Sequence, residues 1–154
     1  MWLVYNIPLS MSNFKLNYIH LCDEVSFSQE GKLSIIGIFD VINVINIPGS
    51  LIKAYLVCNF TVLNKDLGEA TIGIAVNNKK TQEEVVKIPE LKVPIPEQDK
   101  LIPNRPRVLG VSLQLVNIPF KATGEYNISV VVNDEKVADY IFYVNQIKTD
   151  KMVN

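Results

Sequence analysis

The stretch from His20 to Asp40 holds the chain's only histidine, one of its two cysteines and four acids within twenty-one residues. Imidazole, thiolate and carboxylate are the groups from which zinc sites, cysteine nucleophiles and acid–base pairs are made. A closed tetrahedral zinc site needs four ligands, and one histidine with two cysteines cannot supply them without carboxylates whose spacing gives no reason to expect them. His20 and Cys22 stand two apart and project to one face of a strand. Their side chains are then about 6.5–7 Å apart, beyond hydrogen-bond reach for a nucleophilic pair. Asp23 and Glu24 point to opposite faces, which rules out paired carboxylates across a substrate. Asp23 is expected to accept backbone N–H groups where the strand ends. The phosphate-cradling and hydrolytic signatures G-x-x-x-x-G-K-[ST], G-x-G-x-x-G, G-x-S-x-G and H-E-x-x-H are absent. The expectation is a protein without catalytic residues, metal or cofactor, and not an enzyme.

The elements that position these residues follow from period-two alternation. It is cleanest over Ala54, Leu56, Cys58, Phe60 and Val62, and recurs at Ala70–Val76, Leu109–Leu115 and Tyr126–Val132. Eight strands are expected, near 16–24, 32–43, 53–63, 69–77, 82–88, 107–118, 124–132 and 137–145, and no segment has a helical period. Leu33 to Ile42 is apolar on both parities, which suits a central strand covered on both sides, or one face meeting a partner. Gly37 in its middle marks a bulge or a close backbone approach.

The connections carry residues tolerant of positive φ, at Ser28–Gly31, Asn64–Gly68, Asn77–Lys80 and Asn133–Lys136. Gly31 is the expected positive-φ residue of the first hairpin. Thr123-Gly-Glu-Tyr126 opens a strand in the manner of the tyrosine corner of immunoglobulin-type sandwiches. The pattern predicts an all-β fold: a two-sheet antiparallel, immunoglobulin-like β-sandwich spanning residues 16–146, flanked by tails at 1–15 and 147–154.

Five of the eight prolines fall between Ile88 and Arg107. Proline lacks the N–H donor, so this tract is expected to be an edge or a long connection between sheets. An extended segment loses little entropy on docking, which makes Leu91, Val93, Pro94, Ile95, Pro96 and Leu101 the candidate partner-binding residues.

A formal net charge of -1, from 15 basic and 16 acidic side chains, lacks the concentrated positive face that phosphate binding requires, so nucleic acid is not an expected partner. Mean hydropathy of +0.18 hints at strands buried on both faces or at an oligomer contact. No apolar stretch reaches the roughly twenty residues of a membrane span, and the apolar start has no cationic lead-in and no small-residue cleavage site. A cytoplasmic protein with two reduced, buried cysteines follows.

Leu21-Cys-Asp-Glu-Val25, then Gly31-Lys-Leu-Ser-Ile-Ile-Gly-Ile-Phe-Asp40, and later Ile118-Pro-Phe120 and Gly124-Glu-Tyr-Asn-Ile-Ser-Val130, resemble a family of small uncharacterised bacterial proteins. Its members share a domain of unknown function with LCD-x-V and GKLS-x-IG-x-FD motifs. The resemblance covers most of residues 16 to 145. It implies a stand-alone β-sandwich and carries no activity, cofactor or site residue with it.

The leading expectation is a binding or assembly module whose partner is another protein or a second copy. A structural subunit of a phage-like particle is an alternative within the same architecture. A small-ligand or carbohydrate-binding sandwich would expose aromatic platforms, for which Tyr55, Tyr140 and Tyr143 are the candidates.

Overall fold

The computed structural model describes residues 12–149, so most of the expected N-terminal tail and the end of the C-terminal one lie outside the described residues. Alternating burial builds nine strands: β1 (Phe14–Phe27), β2 (Leu33–Phe39), β3 (Val41–Val44), β4 (Gly49–Val62), β5 (Glu69–Asn78), β6 (Glu84–Pro94), β7 (Val108–Phe120), β8 (Gly124–Val132) and β9 (Glu135–Gln146). Among the described residues there is no helix. One sheet runs β2-β1-β4-β7 and the other β3-β9-β8-β5-β6. Strands β1, β4 and β7 take the places of A, B and E in an immunoglobulin-like sandwich, and β5, β6, β8 and β9 those of C, C′, F and G.

The core lies between the two sheets. The runs Ala54–Val62, Ala70–Val76 and Tyr126–Val132 present their alternate residues to it as expected. Phe120 and Tyr126 meet edge to face at 5.0 Å, and Tyr126 stacks on Phe142 at 5.5 Å. The Tyr126 hydroxyl donates to the Ala122 carbonyl at 2.7 Å, which is the tyrosine corner that the Gly-x-Tyr triplet announces. Antibody domains place a disulfide cysteine two residues further on. Here Ile128 fills that position and apolar packing takes over.

Three expectations are corrected. The run Leu33–Ile42 is not one central strand. It divides at Asp40 into β2, at the edge of one sheet, and β3, at the edge of the other. An apolar run on both parities looks the same whether both faces are covered or one is left open. The sandwich is also not wholly antiparallel, because β3 runs parallel to β9 from Val41–Tyr143 to Val44–Gln146. Finally, β1 begins at Phe14, which is buried in the core, so residues 14 and 15 belong to the domain rather than to a tail.

Two irregularities bend the four-stranded sheet. Opposite Asp23 stands Gly37 at φ +68°, and this pair drops out of an otherwise constant β1–β2 register. Opposite Ile52 stands Asn117 at φ +51°, and this pair likewise drops out between β4 and β7. Asparagine is among the few side chains that accept a left-handed backbone. Past Asn117 the inward parity changes, which is why Leu115, Ile118 and Phe120 all reach the core.

Candidate interaction surface

The groups that could do chemistry are set apart or spent. His20 and Cys22 do share the outer face of β1, opposite Val57 and Tyr55 of β4. His20 stacks on Tyr18 at 5.8 Å. Cys22 is fully buried and its Sγ donates to the Tyr55 carbonyl at 3.7 Å. Burial, and then the neighbouring Asp23 carboxylate, push its thiol above the ordinary cysteine value. Burial alone pushes Cys58 up to about 12. Both cysteines are free, and a protonated thiol is a poor nucleophile. Asp23 makes no side-chain hydrogen bond among the described residues, contrary to the capping role expected of it. Its carboxylate lies over Gly37, where any added Cβ would collide with it.

The proline-rich tract is an edge, as its composition requires. Strand β6 borders its sheet, carries Pro89 and Pro94, and extends six residues past the expected end at 88. Its six candidate residues do not form one surface. Ile95 is part of the core and its N–H donates to the Gly68 carbonyl at 3.0 Å. Val93 packs against that core. Leu91, Pro94, Pro96 and Leu101 are exposed.

The three tyrosines considered as a sugar platform also point apart. Tyr55 is on the outer face of β4, with the Lys53 ammonium 5.2 Å from its ring centre. Tyr140 packs against the core and donates to the Phe39 carbonyl at 2.7 Å. Tyr143 is exposed on the five-stranded sheet. Two adjoining recesses, of about 430 and 700 Å³, open where β5 turns into β6 and β7 into β8. Several of their polar groups are engaged with one another: Asn78 Oδ1 accepts from Lys80 and Thr81 N–H, and Lys121 pairs with Glu83 at 2.9 Å. The Glu84 and Lys80 side chains make no ion pair among the described residues, and they line different recesses rather than converging on one.

What remains is an arm. Pairing of β1 with β4 ends at Cys22–Tyr55, while β1 and β2 continue together to the turn at Gly31. That turn has φ +77° at Gly31 and closes with Ser28 N–H donating to the Lys32 carbonyl, as the sequence predicted. Beyond the Asp23–Gly37 irregularity the arm bends over the outer face of the sheet. There Phe27 and Leu33 border a pocket of about 210 Å³ with Tyr18, Val57, Gly110 and Val111. This explains why Val57, facing outward, is only 2% exposed. The arm nevertheless leaves Phe27 65%, Ile36 52% and Ile38 55% exposed.

Residues 17–145 match the family of unknown function DUF6941. The chain belongs to this family. The match covers the arm, both sheets and the proline-rich edge of the DUF6941 domain. No curated protein matches the chain in sequence. Among solved structures, it is similar to an alkylpurine DNA glycosylase, AlkC, from Pseudomonas fluorescens, at 11% identity over 87% of this chain and 31% of that one, TM-score 0.49. It is similar to a beta-glucosidase from Listeria innocua at 10% identity over 90% of this chain and 17% of that one, TM-score 0.49. An immunoglobulin-like protein from Pseudomonas aeruginosa matches at 12% identity over 88% of this chain and 99% of that one, TM-score 0.37. The chain thus spans under a third of the first two proteins, and likenesses this distant transfer no activity to the DUF6941 domain.

The arm is the feature that sequence reasoning missed. Its apolar run was visible, and a side meeting a partner was one of its two readings; what could not be seen is that Ile36 and Ile38 lie on an edge strand with no neighbour on its outer side.

Proposed function

We propose that this domain is a non-enzymatic β-sandwich module that acts by protein contact, either with a partner protein or in assembly, and that the β1–β2 arm is its contact surface. The observation behind this reading is the exposure of Phe27, Ile36 and Ile38 on one arm beside an uncharged, open strand edge. Register puts Phe27 and Ile36 on opposite faces of the arm, so the contact runs along the free edge between them, the mode by which an extended segment adds to a sheet. The free, buried thiols suit a reducing compartment such as the cytoplasm. The exposed Leu91, Pro94, Pro96 and Leu101 offer a second, weaker surface.

Retention of partners on immobilised protein tests this. Phe27→Ser with Ile38→Ser should abolish retention of any protein held by the native chain, while Leu91→Ser with Leu101→Ser should leave it intact. The reverse result would move the contact to the proline-rich edge. Equal retention by all three proteins would refute a specific surface on either.

A further inference from the structure

Each sheet has two outer strands, and the four are protected unequally. Strand β6 carries two prolines and the charged Glu84, Lys87, Glu90 and Lys92, while β3 is only four residues long. Prolines, charges and shortness are how natural sheets keep their edges from pairing with other chains. Strand β2 has none of the first two: Leu33-Ser-Ile-Ile-Gly-Ile-Phe39 is uncharged and free of proline. Strand β7 is also uncharged.

Symmetry separates these two open edges. A C2 dimer through an edge strand pairs the strand antiparallel with its own copy, so residue i lies opposite residue j about a fixed centre. For β2 the midpoint is Ile36. Leu33 then faces Phe39 of the second copy, Ile36 faces itself, and Lys32 faces Asp40, twice over. Lys32 is well exposed and pairs with Glu30 of its own turn at 2.7 Å, so facing Asp40 exchanges one exposed carboxylate for another; Asp40 is exposed with no side-chain hydrogen bond or ion pair among the described residues. For β7 the midpoint is Gln114, and the same operation sets Pro119, which has no N–H to give, opposite Leu109, while the flanking Arg107 and Lys121 are already engaged, with the Leu67 and Asn64 carbonyls and with Glu83. The outward residues of β7 are Gly110, Ser112, Gln114 and Val116, of which Val116 alone is apolar and exposed.

We infer that β2 is a homodimerisation edge: two copies pair antiparallel about Ile36, joining their four-stranded sheets, with Ile36 and Ile38 covered and reciprocal Lys32–Asp40 ion pairs fixing the register. This rests on the reading of the arm as a contact surface and names a second copy as its occupant. The association is concentration-dependent and weakens as salt screens the two ion pairs.

Sedimentation equilibrium of the purified full chain tests the pairing. The native chain should approach twice its 17.3 kDa at high concentration. Lys32→Glu and Asp40→Lys, each alone, set like charges opposite one another at both ends and should weaken the dimer by roughly tenfold. Mixing these two variants restores opposite charges at both ends, so the mixture should form a heterodimer of native strength. Both positions are exposed, so folding is not at stake. Ile36→Lys, which sets a cation against its own image, should give monomers. A native chain that stays monomeric at its highest soluble concentration, or a mixture no tighter than either variant alone, overturns the inference. The retention experiment on the arm is independent of this outcome, so failure of self-pairing and failure of the contact-surface reading are told apart.

Discussion

Gly31 and Gly37 have nearly the same backbone, φ +77° and +68°, but different surroundings, and that difference has a measurable size. An L side chain in this region costs about 1–2 kcal/mol. Alanine also restricts the unfolded chain, which returns about 0.4–1 kcal/mol. Around Gly31 there is nothing within 4 Å of an added Cβ, so Gly31→Ala should cost only the difference, about 1 kcal/mol. At Gly37 the added Cβ would sit 2.9 Å from Asp23 Cγ and 3.0 Å from Asp23 Cβ, and nearer still to the carboxylate oxygen. The Asp23 Cβ belongs to the strand and cannot swing aside. Overpacking of this kind adds about 1–3 kcal/mol, so Gly37→Ala should cost about 3 kcal/mol in all.

Urea unfolding followed by circular dichroism resolves the two. With a slope of about 2 kcal/mol per molar, the midpoint should fall by about 0.5 M for Gly31→Ala and about 1.5 M for Gly37→Ala. Asp23→Ala removes the carboxylate but leaves its Cβ. Adding it to Gly37→Ala should therefore recover about 1 kcal/mol, a coupling that a double-mutant cycle measures. Equal costs at the two glycines, or no recovery with Asp23→Ala, would refute the claim that Asp23 and Gly37 are in contact at the bend of the arm.

Tyr126→Phe keeps the buried ring and deletes only its bond to Ala122. Because Ala122 is exposed and water can reach its carbonyl, the loss should be about 1 kcal/mol, or a fall of about 2–4 °C in melting temperature by calorimetry. Ile95→Ala should cost about 2–4 kcal/mol in chemical unfolding, as a core residue does, while Leu101→Ala should stay within about 0.5 kcal/mol. Ellman's reagent at mild alkaline pH should label neither Cys22 nor Cys58 in the native chain and both after denaturation; a rapidly labelled native thiol would contradict their burial. Burial raises the Asp139 carboxyl, but hydrogen bonds from Lys136, Asn127 and Ser129 and the Lys136 charge outweigh it and hold the group below its ordinary value. Its contribution is present above the unfolded value near 3.9 and lost as pH falls through the folded one. Asp139→Asn should accordingly flatten the loss of stability measured below about pH 4.

Local signals were enough for much of the fold. Alternation placed the strands, positive-φ chemistry placed the turn at Gly31, and a Gly-x-Tyr triplet placed the corner at Tyr126 because each depends on a few neighbouring residues. Partnership does not. Gly37 marks a close approach in the linear pattern, but not that its partner is Asp23, fourteen positions away across a turn; Asn117, sixty-five positions from Ile52, leaves no mark at all. Ile95 shows the same gap in reverse. Set among prolines it looks like part of an exposed extended segment, but one hydrogen bond to Gly68 and its own side chain turn it into the core.

The candidate surface was harder to read because edge and centre exchange their sequence signatures once topology is known. Prolines and charges in β6 invited a binding role, yet on an outer strand they are what prevents pairing. The uncharged run in β2 invited burial at the centre of a sheet, yet it stands at a border with Ile36 and Ile38 in solvent. A run apolar on both parities has two stable outcomes, coverage within the chain or coverage from outside it. In this domain the strand beside β2 is missing on one side, and its flanking charges are placed so that an identical strand could supply it.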